Sequence, residues 1–268
     1  MDAVQEKIKL CIDNNSNSLD LSNMDLKELP ENLSDLLPKL SYLYCCNNQI
    51  KKLPANLPIS LTHLQCQNNQ IAELPMNLPA SITYLSCENN QITHLPMNLP
   101  AYLKNFYCDN NQIIELPVNL PALLTFLSCA NNQITKLPKN LPISLIYLCC
   151  ASNQIIKLPE NLSSSLIYLY CKNNQITKLP IHLPASLKHL RCTDNKYLHI
   201  SQKNALRFQI NETPNYNKKV CCIQQIWKVK RYKQIIIQMI CDDDNILSVC
   251  FKSYGDLNIV HLIIKYIY

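Results

Sequence analysis

Apolar and polar positions recur along this chain at every twenty-first position. Residues 61–71 read Leu-Thr-His-Leu-Gln-Cys-Gln-Asn-Asn-Gln-Ile, and close copies begin at Leu40, Ile82, Leu103, Leu124, Leu145, Leu166 and Leu187. A fixed period of this length means that each unit is one small structural element that buries its apolar residues only by stacking on its neighbours. The pattern therefore predicts a solenoid.

Each unit is predicted to contribute one short β-strand. In the stretch quoted above, Leu64 and Cys66 alternate with Gln65 and Gln67, so that apolar side chains point inward and polar ones outward. Stacking pairs such strands into a parallel β-sheet, expected on the concave face of the solenoid. Asn69 stands where the chain leaves the strand, and its amide is predicted to pair with buried backbone groups.

The opposite side of each unit is predicted to be extended or polyproline-like. It reads Leu-Pro-x-x-Leu-Pro, as in residues 74–79, with Pro75 and Pro79 four positions apart. Proline lacks a backbone N–H and clashes with the preceding helical turn, so two of them at this spacing exclude a helix. The convex face should therefore lack helices.

The units resemble the leucine-rich repeat, whose pattern is Leu-x-x-Leu-x-Leu-x-x-Asn-x-Leu. An irregular first unit precedes the others, with Leu19, Leu21 and Leu26 in pattern and Met24 in place of the asparagine. The prolines make the units similar to the short repeats of secreted bacterial effectors, including ubiquitin ligases of the invasion-plasmid-antigen type. The cysteine at the sixth position and the richness in Asn, Ile, Lys and Tyr resemble the leucine-rich repeat proteins of mimivirus-like giant viruses. That resemblance implies a viral protein that acts on host factors.

Three regions are predicted. Residues 16–200 form the repeat array of about nine units, and residues 1–15 form an N-terminal capping helix. The Leu-Pro pattern stops after residue 197, and residues 201–268 are interpreted as a C-terminal helical capping segment. Both caps are expected because the terminal units of a solenoid expose an apolar edge.

Composition and charge narrow the possible partners. The chain has one glycine, so asparagine is expected at turn positions with positive φ. The formal net charge is +6, and the six basic residues within 218–233 account for all of it. The remaining array is neutral, which argues against nucleic-acid binding along its face, since that needs clustered Lys and Arg.

Neither a signal peptide nor a run of about 18 apolar residues is apparent, so we expect a cytoplasmic protein without a membrane span, in the host cytoplasm if it is viral. The 15 cysteines are then expected to be reduced. One cysteine per unit forms a ladder that suggests metal or disulfides, but no Cys-x-x-Cys spacing occurs. We interpret the ladder as core and expect no metal and no cofactor.

The outward positions three and five of the strands form the candidate partner-binding site. Large aromatic side chains on a rigid sheet give contact area at low entropic cost, as interface centres do. The predicted partner-binding residues are Tyr42, Tyr44, His63, Tyr84, Tyr107, Phe126, Tyr147, Tyr168, Tyr170, His189 and Arg191. The alternative is that tyrosine is used only because it forms strands well.

The tail offers two further hypotheses. Residues 223–228 and Lys233 resemble the calmodulin-binding IQ motif, which implies contacts from Ile223, Gln224, Trp227 and Lys228. A capping helix is the competing interpretation of this segment. Cys241 lies in a Cys-x-Asp tripeptide similar to that of the effector ligases, but too few residues follow for their catalytic domain. We therefore predict a non-enzymatic protein-protein interaction scaffold, with calmodulin recruitment and a ubiquitin ligase as alternatives.

Overall fold

The computed structural model describes residues 3–195, 198, 207 and 208. The chain divides into the units Met1–Phe208 and Gln209–Tyr268, and the description below concerns the first. Its elements are α1 (Ala3–Asp13), β1 (Ser18–Asp20), α2 (Leu33–Leu36), β2 (Tyr42–Tyr44), β3 (His63–Gln65), β4 (Tyr84–Ser86), β5 (Asn105–Tyr107), β6 (Phe126–Ser128), β7 (Tyr147–Cys149), β8 (Tyr168–Tyr170) and β9 (His189–Arg191). The nine strands form one sheet in sequence order. The predicted solenoid is confirmed.

All strand pairs are parallel, and their register follows the repeat. Leu43 pairs with Leu64, and Leu64 with Leu85, so that each strand centre lies beside its equivalent in the next unit. The irregular first unit is longer, because Leu43 pairs there with Leu19 and not with Ser22, where the regular period would place its partner. Each strand has only three residues, so it depends on the hydrogen-bond ladder to neighbouring units and on the apolar side chains stacked behind it.

The core lies directly behind the sheet. The central residue of each strand is buried, as are the cysteine and isoleucine that follow it, for example Leu64, Cys66 and Ile71 at 0% exposure. Phe106 replaces the leucine in β5 and is the largest fully buried side chain among the described residues. The alternation predicted from sequence is therefore the alternation that builds the core.

From β2 to residue 195 the back of the units contains turns and bends but no helix, as the proline spacing predicts. The first unit departs from this, because α2 forms one short helix there. Its flanking prolines, Pro30 and Pro38, are eight positions apart. The turn fits between them, with the N–H of Leu33 donating to the Pro30 carbonyl at 3.2 Å.

Helix α1 lies against β1, the first strand of the sheet. It buries Val4, Ile8 and Cys11, which share one helical face, and Lys7 Nζ donates to the Asp20 carbonyl at 2.6 Å. The capping role expected for residues 1–15 stays a prediction. The C-terminal capping segment predicted at 201–268 lies outside the described residues, apart from Arg207 and Phe208.

The two asparagines of each Asn-Asn pair have different structural roles. The first has positive φ, as at Asn68 (57°) and Asn131 (53°), in the region where glycine is the usual residue. Ser152 takes this position in one unit, with φ 53°. The side chain of the first asparagine also contacts its counterpart in the previous unit, with Asn68 Nδ2 donating to Asn47 Oδ1 at 2.6 Å.

The second asparagine is buried and ties two units together. Asn153 Nδ2 donates to the carbonyls of Cys129 (2.9 Å), Cys150 (3.2 Å) and Ala151 (3.1 Å). Its Oδ1 accepts from the N–H of Ile134 in the previous unit at 2.9 Å. The same set recurs along the array, so the predicted backbone pairing by these asparagines is confirmed.

A serine at the end of the unit forms a further link between units. Ser81 Oγ donates to the carbonyls of Ile59 and Leu61, both at 2.7 Å, and Ser186 contacts the equivalent pair. Arg207 stands one full period after Ser186, and its guanidinium donates to the corresponding carbonyls of Ala185 and Leu187. Arg207 therefore makes the same two contacts that the repeat serine makes one period earlier.

Candidate functional site

The candidate site is the outer face of the sheet, where residues three and five of each unit point away from the core. The residues that flank the buried strand centre are half-buried in β2, β3, β5, β7 and β8 and exposed in β9. The parallel register places each of them beside its equivalent on the next strand, about 4.8 Å away. Aromatic residues at these positions are therefore brought into contact.

The rings form one continuous stack, which we call the aromatic stripe. Its members are Tyr42, His63, Tyr84, Tyr107, Phe126, Tyr147, Tyr168 and His189. Neighbouring ring centroids lie between 4.1 Å for Phe126 and Tyr147 and 5.9 Å for Tyr147 and Tyr168. At β5 the third position is Asn105, and Tyr107 from the fifth position bridges the gap.

The stacking decides which part of each ring a partner meets. Phe126 lies parallel to Tyr147, with an interplanar angle of 4°, and Tyr168 lies parallel to His189 at the same angle. In these two pairs each ring covers one face of its neighbour. A base-stacking platform needs free ring faces, whereas edges and hydroxyls suit apolar and hydrogen-bonding protein groups.

The other predicted partner-binding residues lie at the two ends of the stripe. Tyr44 is half-buried at the end of β2. Tyr170 meets Tyr147 edge-on, with centroids 5.4 Å apart and an angle of 81°. The guanidinium of Arg191 lies 4.9 Å from the Tyr170 ring, a cation–π contact that orients both side chains. The structure therefore places all the predicted residues on one face.

Burial shifts the pKa of three tyrosines and one histidine of the stripe. It raises the pKa of Tyr147 to about 12, with a smaller contribution from the neighbouring Cys149 thiol. It also raises the pKa of Tyr84 and of Tyr107, to which Glu88 adds by charge repulsion. Burial lowers the pKa of His63, which favours its neutral form. The phenol groups remain hydrogen-bond donors at neutral pH.

Two carboxylates stand beside the middle of the stripe. Asp109 Oδ1 accepts from Ser128 Oγ at 2.7 Å and from the Ala130 N–H at 2.6 Å. Glu88 accepts a hydrogen bond from Ser86 Oγ. Burial nevertheless raises the pKa of Asp109, because these donors offset only part of the desolvation of its carboxylate. The serines that hold these two carboxylates in place were missed in the sequence analysis. Their only trace in the sequence is a serine at position five near an acidic residue at position seven.

The cysteine ladder behaves as core. Its members are Cys45, Cys66, Cys87, Cys108, Cys129, Cys150, Cys171 and Cys192, all buried and all free thiols. Each of the first five donates Sγ–H to a carbonyl of the next unit, as Cys66 does to Ser86 at 3.4 Å. Burial raises the pKa of every ladder thiol, that of Cys192 to about 12. Protonated thiols are poor nucleophiles and poor metal ligands.

Two kinds of site are absent from the part of the chain that the structure describes. No group of three or more His, Cys, Asp or Glu side chains there is arranged to hold a metal ion. None of the helices in that part is long and apolar enough to cross a bilayer. The IQ-like residues Ile223, Gln224, Trp227, Lys228 and Lys233, together with Cys241, lie outside the described residues.

Comparison with solved structures identifies repeat proteins of the same architecture. A Shigella effector LRR domain is 34% identical, with a TM-score of 0.53, and the match covers 59% of this chain and 69% of that one. YopM from Yersinia enterocolitica WA-314 is 30% identical, with a TM-score of 0.57 over 74% of this chain, which spans only 46% of the Yersinia protein. The functional domain of InlJ from Listeria monocytogenes, described as including a cysteine ladder, is 22% identical, with a TM-score of 0.61 and coverages of 78% and 49%. No family model matches the sequence, and no curated protein does.

Proposed function

This chain belongs to the leucine-rich repeat family, and we propose that it is a recognition scaffold that binds a protein partner on its aromatic stripe, without catalysis. The observation that carries the proposal is the unbroken ring stack from Tyr42 to His189 on the outer face of the sheet. The leucine-rich repeat fold of the similar effectors and internalins suggests protein-protein interaction in general. We assign that general role to the stripe.

The stripe has the physical properties of an interface centre. Its rings are already packed against one another, so a partner immobilises few additional rotatable bonds when it binds. The phenol hydroxyls of Tyr84, Tyr107 and Tyr147, whose pKa values burial raises, supply hydrogen-bond donors along the stripe. Tyrosine and arginine are enriched among the residues that contribute most to binding energy, and Tyr170 with Arg191 supplies both at the end of the stripe.

The test is a comparison of captured proteins. The full chain and a variant with Tyr84, Tyr107, Phe126 and Tyr147 changed to Ser are immobilised and exposed to eukaryotic cytosol, and bound proteins are quantified by mass spectrometry. We expect at least one specific partner whose recovery falls by about tenfold or more in the variant. Far-UV circular dichroism of both proteins shows that the array remains folded.

The chain offers a matched control on other surfaces. Ile59, Met97, Val118 and Ile143 are apolar, lie outside the strands and are 78–86% exposed. Changing these four to Ser removes a comparable amount of apolar surface and should leave capture unchanged. Binding at the stripe would be refuted if the partners bound both variants as strongly as the unchanged chain. It would also be refuted if both variants lost the partners to the same extent.

We further propose that the chain acts in a cytoplasm, on host factors, as a viral protein. The Asn- and Cys-rich repeats resemble those of giant-virus proteins, and the similar Shigella structure is an effector by its description. The free thiols of the described residues suit a reducing compartment. Fractionation of infected cells, with recovery in the soluble host fraction, is the expected outcome.

Calmodulin recruitment by residues 218–240 is a second proposal, supported by the IQ-like spacing of Ile223, Gln224 and Lys228 next to Trp227. Calorimetric titration of the full chain with calmodulin should then show binding that Trp227→Ala weakens and the stripe variant does not. A ubiquitin ligase is the remote alternative, and it requires a thioester that Cys241→Ala abolishes.

A further inference from the structure

A row of residues with graded charge runs beside the aromatic stripe. It consists of position seven of successive units, namely Glu88, Asp109, Ala130, Ala151 and Lys172. We call it the charged row. Each residue follows its strand by two positions; Glu88, Asp109 and Ala130 are half-buried, Ala151 is buried and Lys172 is exposed. The row therefore begins with two carboxylates, continues with two small side chains and ends with an ammonium group.

The charges of the row are not neutralised by neighbours in the described part of the chain. The one salt bridge there joins Lys157 and Glu160, outside the row. Glu88 and Asp109 are half-buried and held in place by serine hydroxyls, while Lys172 is exposed. A partly desolvated carboxylate with only neutral donors gains from an added cation. The middle of the face therefore favours a basic group of a partner.

The opposite end of the face favours an acidic group. Lys172 follows β8, and Lys188 and Arg191 lie at β9, all three exposed. Lys104 is another basic residue near the two acids, but it precedes β5, whereas Asp109 follows β5. Along an extended chain Lys104 and Asp109 are about 16 Å apart. The acidic and basic ends of the face are thus separate.

The repeat fixes the distance between the two ends. Asp109 and Lys172 are three units apart, and Glu88 and Lys172 are four. With about 4.8 Å between neighbouring strands, these separations are about 14 and 19 Å. An extended segment covers such a distance in about four to six residues, and a helix in about nine to thirteen.

We propose that the partner of this face is a protein segment that carries a Lys or Arg about 14–19 Å from an Asp or Glu. The basic side chain lies against Glu88 and Asp109, the acidic one lies against Lys172, and the segment between them packs on the stripe. The inference rests on the proposed function, because it specifies the partner that the stripe binds.

The test uses peptides of known sequence. A random 16-residue peptide library displayed on phage is selected on the full chain, and the stripe variant with four serines is used to remove peptides that do not need the stripe. The selection is repeated on a Glu88→Gln, Asp109→Asn double variant and on Lys172→Gln. These changes are nearly isosteric, and both amides retain an acceptor for the positioning serines.

Stripe-dependent peptides from the full chain should be enriched in one base and one acid at the stated separation. Peptides selected on the double variant should no longer be enriched in bases but should still be enriched in acids. Peptides selected on Lys172→Gln should no longer be enriched in acids but should still be enriched in bases. In a selected peptide, Lys→Gln should weaken binding to the full chain by about threefold or more and leave binding to the double variant unchanged.

Two results would overturn the inference in different ways. If stripe-dependent peptides show no charge pair, or if the row variants select the same peptides, the inference is wrong and the proposed function stands. If no peptide that binds the full chain survives removal on the stripe variant, both are wrong.

Discussion

The buried asparagine of each unit gives a sharp test of how the array is held together. In Asn153→Ala the N–H of Ile134 loses its partner inside the core. The three carbonyls that lose Nδ2 each keep another donor, since Asn132 still donates to Cys129, Asn174 to Cys150 and the N–H of Asn131 to Ala151. The substitution therefore leaves the N–H of Ile134 without an acceptor and removes the two side-chain N–H groups of Asn153.

The expected magnitude follows from this count. An unsatisfied buried N–H costs about 1–3 kcal/mol, and each of the two lost side-chain N–H groups about 0.5–1.5 kcal/mol, so the free energy of unfolding should fall by about 2–6 kcal/mol. With a urea m-value of about 3 kcal/mol/M, the urea midpoint moves down by about 0.7–2 M. Far-UV circular dichroism of the full chain during urea unfolding measures this shift.

The neighbouring residue provides the control. Gln154 is exposed, and Gln154→Ala should change the free energy of unfolding by no more than about 0.5 kcal/mol. A midpoint for Asn153→Ala within about 0.3 M of the unchanged chain would show that the asparagine does not join the units, and the account of the core would be wrong.

Three further predictions concern single positions. Ser152→Asn should stabilise the array by about 0.5 kcal/mol, because asparagine tolerates the φ of 53° better than serine, and the reciprocal Asn131→Ser should destabilise it in the same urea assay. Burial raises the folded pKa of Asp109, so its protonated form stabilises the fold at low pH and that contribution is lost as the pH rises through the folded pKa. The stability gain from Asp109→Asn should therefore be larger at pH 7 than at pH 4, and an equal gain would contradict the shift. Brief alkylation of the folded chain, mapped by mass spectrometry, should label the half-exposed Cys46 and Cys149 before Cys66 or Cys129, whose pKa values burial raises.

The sequence was sufficient to predict the register, the alternation and the core, because one physical solution is repeated in unit after unit. It assigned the pairing with buried backbone groups to Asn69, but it did not show that Asn68 is the residue with positive φ, because that depends on the backbone path. The helix α2 was also missed. Its position depends on Pro30 and Pro38 standing eight positions apart, in a unit that departs from the period.

The continuity of the aromatic stripe was likewise beyond a position-by-position analysis. Asn105 interrupts the aromatic residues at position three, and the sequence alone does not show that the ring of Tyr107 reaches across to both Tyr84 and Phe126. That depends on side-chain rotamers on adjacent strands. The partner-binding role assigned to these residues stays a prediction until the capture experiment is done.

The offsets of the asparagine bonds have a consequence for how such a gene changes length. Asn153 reaches back 19 residues to Ile134 and 24 to Cys129, and Asn132 makes the same reach to Ile113 and Cys108. If a block of one whole period is deleted or duplicated, every asparagine amide therefore still has an equivalent hydrogen-bond partner. A block of any other size leaves some amides at the junction without partners. Lineages that inherit this chain should differ in length by whole units, and recombination between its own copies is the simplest source of that variation.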